Sequence, residues 1–284
     1  VAGQTYQIGS NPELLVRLLK FSWPLMLSGL LLFLIFQGDR AIVGHYFDMK
    51  SLGHFSLVLT AFFLPSQLLH RVYDSLLLST LSKAYQRREN FEQIQSLIWS
   101  SLVVLSAAYI WFCLMFGPWL FISLFGEKYT PGVSLLPWIV LLVSIRTLRI
   151  APSLFALATA RPISELYANL ARTIALPLAI GSLYLGYSLE SVVIAGILGE
   201  SCALLVGFTS LGFLSAKFRF SAAELGAFIP WLISVACLVG LQIINVEIPF
   251  QTALFAAGLL LIMGILFIQK ISNLKAETGL IPNV

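Results

Sequence analysis

Five arginines, three acids and one histidine lie inside stretches that are otherwise apolar, and these nine side chains are the ones with chemistry to offer. Arg146 and Arg149 stand near the middle of LLPWIVLLVSIRTLRIAPSLFALATA, 135–160. At about 1.5 Å per residue that stretch can cross a bilayer core of roughly 30 Å. An arginine at mid-membrane costs about 2.5–3.5 kcal/mol on insertion scales, and a spacing of three puts both guanidinium groups on one helical face. An anion is therefore expected opposite them, either an acidic side chain or a bound group. Arg172 lies at a similar depth in the next apolar run, and the tight Arg161-Pro162 turn makes the two runs antiparallel neighbours, so the three cations are expected to converge. Arg71, about midway along an earlier run, is a fourth candidate. Guanidinium forks match phosphate oxygens and keep their charge, so arginines gathered at one depth suit a phosphate-bearing headgroup.

The acids set the balance. Asp39 and Arg40 are adjacent and should partner other helices, because neighbours in sequence do not face each other on a helix. Arg71 and Asp74 stand three apart and can pair within their own helix. That leaves Glu200, with Glu165 near the end of its run, for Arg146, Arg149 and Arg172. The intramembrane balance is then positive, as in a cavity that binds anions. Asp39, Arg40, Asp74, Glu200 and His70 are the candidates for coupling or gating, His70 because an imidazole beside Arg71 can relay a proton or bond a polar ligand.

The elements that position these residues follow from composition. Of 284 residues 58% are hydrophobic and 11% charged, outside the range of soluble domains. We expect an all-α integral membrane protein with eight spans, roughly 15–47, 54–82, 96–125, 133–159, 163–187, 191–216, 227–246 and 252–271. A short surface helix is expected over 83–95. Lys and Arg collect on the loops of one side, where Arg17, Lys20, Lys83, Arg87, Arg88, Arg161, Lys217, Arg219, Lys270 and Lys275 face only Lys50 and Lys128 opposite, which puts both termini in the cytoplasm of a multi-pass protein of the cell membrane.

Pro24, Pro65, Pro118, Pro137, Pro152 and Pro177 interrupt the spans, and each favours a kink. Trp99, Trp111, Trp119, Trp138 and Trp231 fall near span ends, where an interfacial belt places them, with Tyr46, Tyr73 and Trp138 as the alternatives for stacking on a sugar ring. His45 and His54 flank a loop and should be solvated. Cys113, Cys202 and Cys237 have neither pair spacing nor a nearby histidine, so they read as small core residues. There is no P-loop, HExxH, GxSxG or cysteine pair for a metal, and no extramembrane loop large enough for paired catalytic carboxylates. Transport without an ATPase or other enzymatic activity of its own is the economical expectation, with no cofactor, no metal and no nucleic acid.

The first two spans, SWPLMLSGLLLFLIFQGDRAIVGHYFDMKSLGHFSLVLTAFFLPSQLL, carry an early proline, an Asp-Arg pair, a glycine, then a Gly-led helix with a mid-span proline, at Pro24, Asp39, Arg40, Gly44, Gly53 and Pro65. Together with LFGEKYTPGVSLLPWIVLLVSIRTLRIAPSLFALATARP, 124–162, this resembles the second lobe of polysaccharide flippases in the multidrug/oligosaccharidyl-lipid/polysaccharide (MOP) superfamily. The resemblance implies a six-helix C-terminal lobe over 1–216, with two additional transmembrane helices and a short tail over 217–284. A preceding lobe of about six helices would then lie outside this chain. It further implies alternating-access flipping of an undecaprenyl-diphosphate-linked oligosaccharide among membrane lipids, coupled to a proton or sodium gradient. In that reading Arg146, Arg149, Arg172 and Arg71 bind the diphosphate. A lipid II flippase or a cation-coupled drug exporter of the same superfamily, and more distantly a membrane-embedded sugar polymerase or ligase, are the alternatives.

Overall fold

The computed structural model describes residues 12–87, 90–214 and 222–244. In order they form α1 (Pro12–Tyr46), α2 (Met49–Arg87), α3 (Phe91–Phe125), a 3-10 stretch (Glu127–Leu135), α4 (Leu136–Leu148), α5 (Ile150–Ala158), α6 (Pro162–Arg172), α7 (Ala175–Tyr184), α8 (Glu190–Leu214) and α9 (Ala222–Ile244). The described residues contain no strand, as lipid demands, because a helix satisfies its backbone groups without water. Among the described residues six stretches are long and apolar enough to cross a membrane: Glu13–Tyr46, Met49–Arg87, Phe91–Phe125, Glu127–Ala158, Pro162–Tyr184 and Glu190–Gly212. The chain is by this measure a multi-pass membrane protein.

Eight spans were expected. The seventh falls on α9, a 23-residue helix of which Trp231–Gly240 is an apolar stretch, and the eighth, 252–271, lies outside the described residues. The expected surface helix over 83–95 is absent, because α2 runs on to Arg87 and α3 begins at Phe91. At 39 residues α2 is about 58 Å long, nearly twice a bilayer core, so its basic end projects beyond the hydrocarbon. Its start is fixed by Asp48, whose carboxylate accepts the Ser51 N–H at 3.0 Å, and hydrogen bonding to Ser51 holds that carboxyl below its ordinary range.

Pro24, Pro65 and Pro118 are absorbed within continuous helices. Pro152 and Pro177 are not. A proline cannot donate to the carbonyl four residues back, here that of Leu148 or Thr173, and at those places one span divides into α4 and α5 and the next into α6 and α7. Both breaks fall beside arginines.

The core fills the space between α3, α4, α5 and α8, with Trp111, Phe121, Ile139, Leu154 and Phe155 almost wholly buried. Around it α8 packs on α4, α6 and α7, α1 lies chiefly on α6 and α7, and α2 chiefly on α4 and α5. The belt expected of the tryptophans is only partly realised. Trp99, Trp111 and Trp231 are buried, whereas Trp119 is 65% exposed. Reciprocal bonds explain the difference: Trp111 Nε1 donates to Ser234 Oγ at 3.0 Å, and Trp231 Nε1 donates to Ser106 Oγ at 2.9 Å, clamping α9 to α3. His54, expected in water, is buried edge-on against Tyr129, with ring centroids 5.6 Å apart.

Candidate functional site

Glu200, on α8 and 1% exposed, receives all three clustered arginines. Arg172 Nη2 lies 2.8 Å from Oε1, Arg149 Nε 3.2 Å from Oε2, and Arg146 Nη1 3.6 Å from Oε1. Arg146 lies in the last turn of α4, Arg149 occupies the break before α5, and Arg172 ends α6, so the two proline breaks and one carboxylate share a single locus. Close approach of α8 is built in at Gly199, where a Cβ would lie 2.8 Å from both the Arg172 carbonyl and the Ala175 Cβ. Only glycine lets Glu200 come this near.

A second layer holds Arg149. Its Nη1 donates to Asn169 Oδ1 at 2.7 Å and lies 3.7 Å from Glu165 Oε1, while Asn169 Nδ2 donates to Glu165 Oε1 at 3.1 Å and to Ser28 Oγ on α1. Asn169 is 0% exposed and ties α6 to both α1 and the α4–α5 break. Sequence reasoning passed over it, although it stands four residues after Glu165 and three before Arg172, on the same helical face.

Asp39 joins the same locus. It lines a small pocket, with room for about a water molecule, together with Ile35 and Phe36 of α1, Leu59 and Phe63 of α2, and Arg146 and Arg172. The expected cationic surplus is thereby corrected: with Asp39, Glu165 and Glu200 present, three carboxylates face three guanidinium groups. Over Arg146 sit two aromatic rings, Phe36 at 4.2 Å and Phe63 at 3.9 Å from Cζ to centroid, themselves 5.5 Å apart. These cation–π partners also escaped the sequence, since an aromatic residue in an apolar run carries no mark of its neighbour.

Arg71 stands apart from this cluster. It is exposed on α2, and among the described residues no acid pairs with it. The expected Arg71–Asp74 pair is replaced by one between His70 Nε2 and Asp74 Oδ2 at 3.5 Å. Thr60, Gln67, Arg71 and Asp74 recur at intervals of seven, four and three, so they form one polar strip on α2, of which Thr60, Gln67 and Arg71 are exposed. Exposed Arg40 on α1 joins it by donating from Nη2 to Thr60 Oγ1 at 3.2 Å, and exposed Gln37 lies one turn back. Of the residues suggested for stacking on a sugar, Tyr73 is buried with its hydroxyl 2.6 Å from Ser101 Oγ, Tyr46 is exposed and Trp138 is half-buried.

The fold and site thus define a helical, multi-pass membrane protein with a buried charge network and an exposed polar strip on α2. Residues 4–134, just under half of the chain, match a family described as polysaccharide biosynthesis protein, which supports kinship with MOP-type transporters and an association with polysaccharide synthesis. The matched stretch includes Asp39, Arg40, His70, Arg71 and Asp74 but not Arg146, Arg149, Arg172 or Glu200. Comparison with curated proteins and with solved structures gives no match.

Proposed function

We propose that the chain is one lobe of a membrane flippase that carries a polyprenyl-diphosphate-linked oligosaccharide, and that the α1–α2 strip faces the passage. The carrying observation is that Arg40 and Arg71 are exposed within apolar spans. Facing lipid, each arginine would cost at least a few kcal/mol, so such a side chain belongs to a water-filled cavity or a protein partner. A facing lobe of about six helices supplies the other wall, with both termini of this chain cytoplasmic. The resemblance and the family match favour a polysaccharide precursor as the cargo, whose diphosphate would answer a strip that presents guanidinium groups.

The arginines then divide by role. Arg71 offers an uncommitted fork to the diphosphate. Arg146, whose side chain is 14% exposed beneath Phe36 and Phe63, is the cluster member best placed to follow. Arg149 and Arg172 bind no cargo while Glu200 holds them, and they act by fixing Glu200, the carboxylate that also meets Arg146. The test is export in the full-length protein: R71Q should abolish surface glycan and accumulate the lipid-linked intermediate at normal protein level. R71K should restore it only in part, because a lysine lacks the bidentate geometry. Normal glycan in R71Q and in R146Q would refute this reading, and preferential loss of organic-cation efflux would favour a drug exporter.

A further inference from the structure

Three carboxylates in the spans are candidates for binding a proton, and their surroundings separate them. Glu200 is held by three guanidinium groups, and Asp39 shares its pocket with Arg146 and Arg172. Asp74 is different. It faces one titratable base, His70, and the two side chains remain 41% and 46% exposed on the same strip as Arg71. The second oxygen of Asp74, Oδ1, is buried without a hydrogen-bond partner among the described residues. A proton can therefore reach this pair, and a vacant acceptor lies beside it.

Resting on the flippase reading above, we propose that His70 and Asp74 form a proton-binding pair that sets the affinity of the Arg71 strip for an anionic headgroup, so that headgroup binding takes up a proton. With imidazole neutral, the pair carries one negative charge three residues from Arg71, and the Asp74 carboxylate competes with the headgroup for that guanidinium. Protonation turns the pair into an imidazolium–carboxylate couple of zero net charge. The competing carboxylate is then held by His70, and Arg71 is free for the anion. By linkage, whatever factor the proton adds to anion affinity, the anion adds to proton affinity. Other elements bring charge as well: Arg149 and Arg146 from the α4–α5 span and Glu165 from α6 act on His70, and Glu165 acts on Asp74. Those three are committed to Glu200, Asn169 or one another, so they form a fixed background rather than a competing switch.

The experiment measures binding of an undecaprenyl-diphosphate-linked monosaccharide to the purified full-length protein from about pH 5 to 8, the range where imidazole changes charge. Both phosphates of this probe are esterified, so its own charge stays constant. Wild type should bind about tenfold more tightly at the acid end, with proton uptake on binding detectable in weak buffer. H70Q should bind weakly at every pH, and D74N tightly at every pH, so H70Q falls below wild type at pH 5 and D74N rises above it at pH 8. Wild-type binding that does not vary with pH, or variants that retain the wild-type profile, would overturn the pair while leaving the flippase reading intact. No binding of the probe at any pH would overturn both.

Discussion

One carboxylate serving three guanidinium groups is an arrangement whose parts cannot be removed singly at low cost. Buried charges lose their hydration, and taking away one partner of such a pair typically costs about 3–5 kcal/mol because the other is left uncompensated. E200Q would leave three buried cations with two remaining acids, and we expect a loss of that size in the thermal unfolding of the solubilised protein. Combining it with R172Q should recover part of the loss. A strictly additive double variant would show that the pair is not coupled. N169A removes a neutral link to a charged group, with an expected cost of about 1.5–3 kcal/mol, read the same way. These variants lower protein level before they touch transport. R71Q, on the exposed strip, should do the reverse.

The breaks that bring the arginines to Glu200 belong to the helices. P152A and P177A return a backbone donor to Leu148 and Thr173, and each should straighten its span. Arg149 or Arg172 would then lose its aim, so export should fall although the helices themselves are strengthened. Gly199 allows a sharper comparison. G199A forces a Cβ against a backbone carbonyl and the Ala175 Cβ at 2.8 Å, whereas G196A meets only the Leu142 side chain, at 3.3 Å. Overpacking against rigid neighbours costs about 1–3 kcal/mol, so G199A should lower the melting temperature clearly and G196A little. Equal effects would mean that the α8 approach is not tight. The helix types and most of their bounds were legible in the apolar runs, since each run can satisfy its backbone only as a helix. Which prolines break a span was not legible, because Pro65 and Pro152 both sit in apolar helical runs and only the packing around them separates the two outcomes.

For the molecule as a whole, the division of the α2 surface is the decisive feature. Leu68, Val72 and Leu76 are exposed on one side, and Gln67, Arg71 and Asp74 follow the adjacent strip. With Cys113, Cys202 and Cys237 replaced, single cysteines at Gln67 and Arg71 should react with a charged, membrane-impermeant thiol reagent in the full-length protein. Cysteines at Leu68 and Val72 should resist it. Uniform resistance would place the strip against protein or lipid and remove the passage.

The sequence by itself determined that this is a helical membrane protein whose spans carry arginines in need of partners, because hydropathy and the cost of burying charge are properties of composition and spacing. It also placed Arg146, Arg149 and Arg172 at one depth, since rise per residue is fixed. Only the tertiary structure decided which acid meets which arginine. Glu200 and Asp39 lie far from those arginines along the chain, and helix rotation, which no local pattern encodes, brings them together. The same rotation leaves Arg71 outside the cluster, turned to the open side of α2, where an anion can still reach it.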